Sequence, residues 1–364
     1  MPPPALRDGG YVLAIKANIK LTLLALALTA CTQKKADCDR KCLQEMLNNH
    51  AVRTEEFWTR IEGKHLADKV LFAPPEVIEY VKLDNRKNGY PNEPKPSNDQ
   101  RFLEIVKEAL AELPPSVQTK IGSKLAGILI MRDLGGSGLT DSILDGNGIP
   151  FRGFIILDSD VLQSRTANQW ATWKESTPFK PDPTFSIEAT IENKHRDLVK
   201  YATQYVLLHE IAHVLSVGED IHPHWGKAPS SIQEIDRFTF FNLSWLVDRE
   251  KNKYVSRFDA AVFPEGPQVV YYFGADLAAS QMATTYANLE KTNFPTLYAS
   301  TRPDDDWAES FVTYVHSVLL KKPFSIKIKK DGKTIKEFGL CWGTPRCAKK
   351  ESFLAKYFSP DPSH

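Results

Sequence analysis

Apolar residues recur along this chain in two periods, and together they predict a protein built from both helices and strands. Phe102, Ile105, Val106, Ala109 and Leu110 fall at i, i+3, i+4, i+7 and i+8, one apolar stripe on a helix over residues 100–113. Residues 125–131 and 153–158 are short unbroken apolar runs, as expected of buried strands. The glycine-rich stretch 133–139 between them reads as a loop. No Lys-Ser/Thr pair follows it and no dinucleotide-binding spacing is present, so it is not read as a phosphate cradle. A longer helix is predicted over residues 194–217, ended by Gly218 as a left-handed cap.

Residues 230–290 carry Phe238, Phe240, Phe241, Trp245, Tyr271 and Tyr272 and are expected to be mostly helical, with the aromatics packing the core. Residues 305–320 predict a further helix. Residues 325–336 alternate lysine with apolar side chains around Asp331-Gly332, the signature of a hairpin whose exposed edge is guarded by charge. At the other end, residues 32–70 look helical, and 72–97, rich in Pro, Asn and Lys, read as a linker. The expected fold class is α+β: a mostly helical domain with a small mixed sheet over 100–320. A helical segment and linker precede it over 31–99, and a hairpin with a cysteine-bearing tail follows over 321–364.

Composition narrows the function classes. The 364 residues are 42% hydrophobic and 25% charged, as in a globular protein. A net charge of +1 argues against general nucleic-acid binding, which needs a concentrated basic face. Basic Arg7, Lys16 and Lys20 precede the apolar stretch 21–30, which is too short to span a bilayer. That stretch ends in Leu28-Thr29-Ala30-Cys31, which resembles a bacterial lipobox. The resemblance implies a signal peptide over 1–30, a lipidated Cys31, and a chain anchored by its lipid in the bacterial envelope. No aspartate follows Cys31, which favours the outer membrane.

Four cysteines then remain, Cys38, Cys42, Cys341 and Cys347, an even number that suits disulfides in an oxidising compartment. Cys38 and Cys42 are four apart in a helical-looking segment, where side-chain directions do not favour a bond. Two staples joining the N-terminal segment to the C-terminal one are therefore expected. A four-cysteine zinc site and free thiols are the other options.

The chemistry concentrates in His209-Glu210-Ile211-Ala212-His213, inside the apolar run 205–215. Histidines four apart on a helix share one face, about 5–6 Å apart at Cβ, so both imidazoles reach one zinc ion. Glu210 beside them is then set to face a water on that ion as general base. The bland alternative is a buried helix whose histidines merely satisfy their neighbours.

A catalytic zinc takes a third protein ligand and keeps a position open. Glu219 stands where a metzincin places its third histidine, but Ser216 replaces the midway glycine that this spacing requires. His222 and His224 fit no recognised spacing. Downstream, Asp305 and Glu309 are four apart and share a helix face.

The stretch 296–311 contains Thr296, Tyr298, Thr301, Asp305, Ala308, Glu309 and Phe311 and resembles the matching region of the anthrax lethal factor-like zinc peptidases. The shared pattern is Thr-x-Tyr-x-x-Thr, an acid, then x-x-Ala-Glu-x-Phe. The resemblance covers this stretch and the histidine motif alone. It implies a zincin-like fold, a protein or peptide substrate, Asp305 in the ligand position, Tyr298 as donor to the oxyanion and Glu309 beside the site; His316 or His224 is the expected assistant to Tyr298 on the mechanism alone. The family ligand is glutamate. Aspartate is one methylene shorter, so either the helix sits closer to the metal or Glu309 coordinates and Asp305 orients a histidine. The reading is a zinc-dependent endopeptidase. A non-catalytic envelope lipoprotein with a structural or vestigial zinc site, and a hydrolase of cell-wall cross-links, are the competing ones.

Overall fold

The two apolar runs at 125–131 and 153–158 become the central strands of a five-stranded sheet. The computed structural model describes residues 38–359 except 61, 62, 64, 260 and 273. The expected signal peptide and Cys31 lie outside the described residues. The sheet contains β1 (Val70–Phe72), β2 (Lys95–Pro96), β3 (Leu125–Arg132), β4 (Gly138–Leu144) and β5 (Pro150–Asp158). Its order is β1-β3-β5-β4, with β2 joined to the end of β3. The β1–β3 and β3–β5 pairs are parallel, and β4 runs antiparallel to β5 at the edge. Residues 125–131 are all buried, which is why they read as one apolar run.

β4 starts inside the stretch expected to be a loop. Its sequence, Gly-Leu-Thr-Asp-Ser-Ile-Leu, has no apolar run because most of the strand is only half-buried.

Helices cover this sheet. They are α1 (Arg40–Asn48), α2 (Glu55–Thr59), α3 (Pro75–Asn88), α4 (Gln100–Ala111), α5 (Pro115–Ile121), α6 (Ser159–Gln163) and α7 (Ala167–Ser176). After them come α8 (Val199–Ser216), α9 (Met282–Leu289), α10 (Pro303–Tyr314) and α11 (Ala348–Phe358). α8 carries the histidine motif and is buried on every side except at Val199, Lys200 and His213. A helix apolar all round belongs in the middle of a core. It stops where Gly218 takes φ 76°, as expected of a left-handed cap. It starts later than the pattern predicts, because residues 194–196 form a separate 3-10 turn.

Three expectations are corrected. Residues 72–97 are not merely a linker, since they contain α3. Pro75 opens this helix, Val77, Ile78, Tyr80 and Val81 bury its inner face, and Gly89 at φ 75° ends it. Residues 230–290 are mostly irregular. Among the described residues they hold short 3-10 turns, the ribbon β7 (Trp245–Asp248)–β8 (Lys253–Ser256), and α9 alone among α-helices, with Pro264 and Pro267 interrupting any longer helix. The cysteines do not staple the two ends together. Cys341 is bonded to Cys347, and Cys38 and Cys42 are in disulfide linkage without them. The argument against a bond near the N-terminus placed both cysteines in one helix, whereas Cys38 precedes Asp39, the N-cap of α1.

The predicted hairpin is present. β9 (Ser325–Lys330) and β10 (Lys333–Phe338) join β6 (Phe185–Thr190) in the order β10-β9-β6, all antiparallel. Asp331 and Gly332 both have positive φ, as a tight two-residue turn requires.

The N-terminal segment is built into the core. Trp58 is fully buried, stacks on Phe154 of β5 at 4.9 Å and donates its indole N–H to Val52 O at 2.8 Å. Gly127 of β3 makes room for it, since a Cβ there would stand 2.8 Å from the Trp58 ring. At the other end α11 is locked to α10 by Lys350 and Asp306, whose side chains are both fully buried and hydrogen-bonded to each other. Trp245 Nε1 adds a bond to Asp306 at 3.1 Å. Burial lowers the Lys350 ammonium to about 8, with Asp306 resisting the shift. Replacing Lys350 with Met would leave a buried carboxylate without its cation. A loss of about 3–5 kcal/mol is expected in urea unfolding; an unchanged midpoint and slope would show that the pair does not hold α10.

Candidate metal centre

One turn of α8 separates His209 from His213, and because the helix is locked on all sides their rings have fixed directions. Their Nε2 atoms lie 3.2 Å apart. Pro303 opens α10, whose first turn then presents Asp305 to both rings. Asp305 Oδ1 stands 3.8 Å from His209 Nε2 and 3.9 Å from His213 Nε2. Metal–ligand bonds of about 2.0–2.1 Å in a tetrahedron put neighbouring donors about 3.3–3.4 Å apart. The observed triangle is near that size and contracts by a few tenths of an ångström to fit. His209, His213 and Asp305 are the one group of this kind among the described residues able to hold a metal ion.

The shorter aspartate reaches because α10 packs close on α8. Trp307 Nε1 donates to the Ala212 carbonyl at 2.7 Å, tying α10 directly to the backbone of α8. Thr301 Oγ1 donates to Asp305 Oδ2 at 3.1 Å and aims the other oxygen inward. Burial and the neighbouring Asp304 push the Asp305 carboxyl up to about 7, so a positive partner is what favours its ionised form.

Glu309 stands one layer behind. It is fully buried and accepts from His209 Nδ1 at 3.0 Å, Lys174 Nζ at 2.9 Å and Thr296 Oγ1 at 2.7 Å. With Nδ1–H donating to Glu309, the His209 Nε2 lone pair points at the metal position, the tautomer a ligand needs. Burial alone would push the Glu309 carboxyl up, but Lys174 and His209 outweigh it and hold it at about 2. For His209, burial works against the charged form, and Glu309 more than compensates, so its pKa is raised. Burial, reinforced by His209, drops His213 to about 3, a neutral imidazole ready to bind.

Glu210 points to the edge strand. Its Oε2 accepts from Thr140 Oγ1 at 2.7 Å. A Cβ on Gly138 would stand 2.8 Å from its Oε1, so the strand approaches the carboxylate only because residue 138 is glycine. Burial raises the Glu210 pKa, opposed by His209 and by the Thr140 hydrogen bond.

Tyr298 stacks on the His209 ring at 5.5 Å and 19°. Lys174 Nζ lies 4.8 Å from the centre of the same Tyr298 ring. Other histidines are spent elsewhere. His316 Nε2 donates to the backbone carbonyls of Ile191 and Pro323. His224 Nε2 faces Ser142 Oγ at 3.3 Å, and His222 Nδ1 is bonded to the Pro223 carbonyl. Glu219 pairs with Lys124 at 2.7 Å, away from the metal position.

Sequence reasoning missed Lys174 and Thr140. Lys174 has one visible sign, a lysine at helical spacing from Trp170 and Ala171 on the buried side of α7. Thr140 has none. No family model matches the chain, and neither does any curated protein or solved structure compared with it.

Two outcomes follow for metal binding. Replacing Asp305 with Ala is expected to remove a ligand and most of the affinity. Glu309→Gln, which keeps the ligands but weakens their support, is expected to cost about 10–100-fold in a chelator competition assay. Equal retention by both variants would contradict the ligand set. Metal retention is also expected to fall as pH drops below about 7. Asp305, at about 7, and His209, with its raised pKa, both then take up protons that compete with the ion. A retention curve flat down to pH 5 would contradict this.

Proposed function

We propose that the protein is a zinc-dependent peptidase of the lethal factor-like kind, with a zincin-like arrangement of motif helix and edge strand. One observation carries the reading. The donor atoms of His209, His213 and Asp305 lie within 4.8 Å of one another, and Glu210, next to His209 on α8, is held by Thr140 against an antiparallel edge strand. Two imidazoles and one carboxylate with an open position are a donor set suited to catalytic zinc. Zinc held there supplies Lewis acidity, polarising a carbonyl and lowering the pKa of a coordinated water toward ~7.

The remaining roles belong to the chain. Glu210, fixed by Thr140, takes the proton from the attacking water and later delivers it to the leaving amine. Its raised pKa suits a group that must both accept and return a proton. Tyr298 donates its hydroxyl to the oxyanion, and its ring against His209 keeps it at the site. The edge of β4 takes the substrate backbone as an added strand.

Export and lipid attachment at Cys31 in the outer membrane complete the reading. Disulfide linkage of Cys38, Cys42, Cys341 and Cys347 supports an oxidising compartment.

The decisive variant is Glu210→Gln, expected to keep fold and zinc and to lose peptide cleavage. Turnover at the wild-type rate would remove Glu210 from the reaction. Tyr298→Phe is expected to lower kcat by about 10²–10³ with zinc content unchanged, the usual cost of one oxyanion donor. A change confined to KM would instead make the tyrosine a binding surface. If the zinc-loaded wild type cuts no peptide, the non-catalytic envelope reading takes its place.

A further inference from the structure

Backbone groups along β4 face alternately toward β5 and away from it. Asp158 N–H donates to Ser137 O at 3.1 Å, so Ser137 and, by alternation, Leu139, Asp141 and Ile143 turn toward β5. Gly138, Thr140 and Ser142 therefore face outward, the side on which a peptide strand can add. Glu210 meets this strand at Gly138 and Thr140, which puts the reacting bond beside those two residues.

Two residues further on, the outward edge is already taken. Arg53 Nε donates to Ser142 O at 3.2 Å and Arg53 Nη2 to Ser142 Oγ at 2.8 Å. The Ser142 N–H is bonded to Asp141 Oδ1 at 2.6 Å. Thr54 then forms a parallel bridge with Leu144, so the chain itself pairs with β4 beyond Ser142.

This strap is anchored. Asp141 holds the Arg53 guanidinium at 3.7 Å and is itself bonded by the Tyr80 hydroxyl. Val52 and Trp58 on either side of the strap are fully buried, and His224 Nε2 also meets Ser142 Oγ at 3.3 Å.

We propose that Arg53 and Thr54 form a stop at one end of the substrate cleft, making the protein an enzyme that trims peptides near a terminus. The proposal rests on the peptidase reading above. From Thr140 to Ser142 is two residues of strand, about 6.8 Å, so about two residues of extended peptide fit between the reacting bond and Arg53. In the other direction the strand leads to the bend at residues 135–137, and the rest of the peptide leaves that way. Arg53 is thus a specificity-determining residue that touches no reacting atom.

The test is a length ladder of one peptide sequence, isotopically labelled at one end, incubated with the zinc-loaded full chain and followed by mass spectrometry. The expected products are pieces of one or two residues released from the same end at every length. Cuts scattered through the interior, releasing long pieces from both ends, would overturn the stop and leave the peptidase reading intact. No cutting of any peptide by zinc-loaded protein would remove the peptidase reading and the stop with it. In Arg53→Ala, with zinc content and unfolding midpoint checked, cut sites are expected to move inward. The wild-type ladder decides the question even if that variant does not fold.

Discussion

The buried carboxylate of Glu309 is the constraint on which the site depends. It joins Lys174 on α7, His209 on α8 and Thr296 ahead of α10, so one side chain ties three parts of the core together. Each oxygen is spoken for, and a carboxylate this deep is stable only because a lysine shares the pocket. The arrangement sets the His209 tautomer, and through it the direction of one metal-binding lone pair. Glu175, next in sequence to Lys174, does similar work one step further out, accepting from the hydroxyls of Tyr271 and Tyr286. A polar layer therefore runs through a core that is otherwise aromatic and aliphatic.

What the sequence disclosed was what is local. The histidine pair and its glutamate are one helical turn, and their geometry follows from the pitch alone. The candidate third ligand was narrowed to two acids by the same spacing rule, but choosing between them needed a distance. Asp305 and Glu309 share a face of α10; only the close approach of α10 to α8, tied by the Trp307–Ala212 bond, puts the nearer acid against both Nε2 atoms and the farther one against Nδ1.

The misses share a cause as well. The first residues of β4 look like the end of a loop because an edge strand that is mostly half-buried has no apolar run to betray it, and Gly138 serves Glu210 rather than a turn. α3 was hidden by the prolines and asparagines around it, although Val77, Ile78, Tyr80 and Val81 carry helical spacing. In 230–290 the expected helix gives way to short turns that Pro264 and Pro267 interrupt, while the aromatic rings pack in the core as expected. For the cysteines, the assumption that failed was that Cys38 lies inside a helix.

The three consecutive aspartates at the start of α10 divide their loyalties. Asp305 turns to the histidines, while Asp306 turns the other way, to Lys350 on the last helix of the chain. Two buried carboxylates one residue apart therefore fix the rotation of α10 about its own axis: a turn of the helix that improved one contact would break the other.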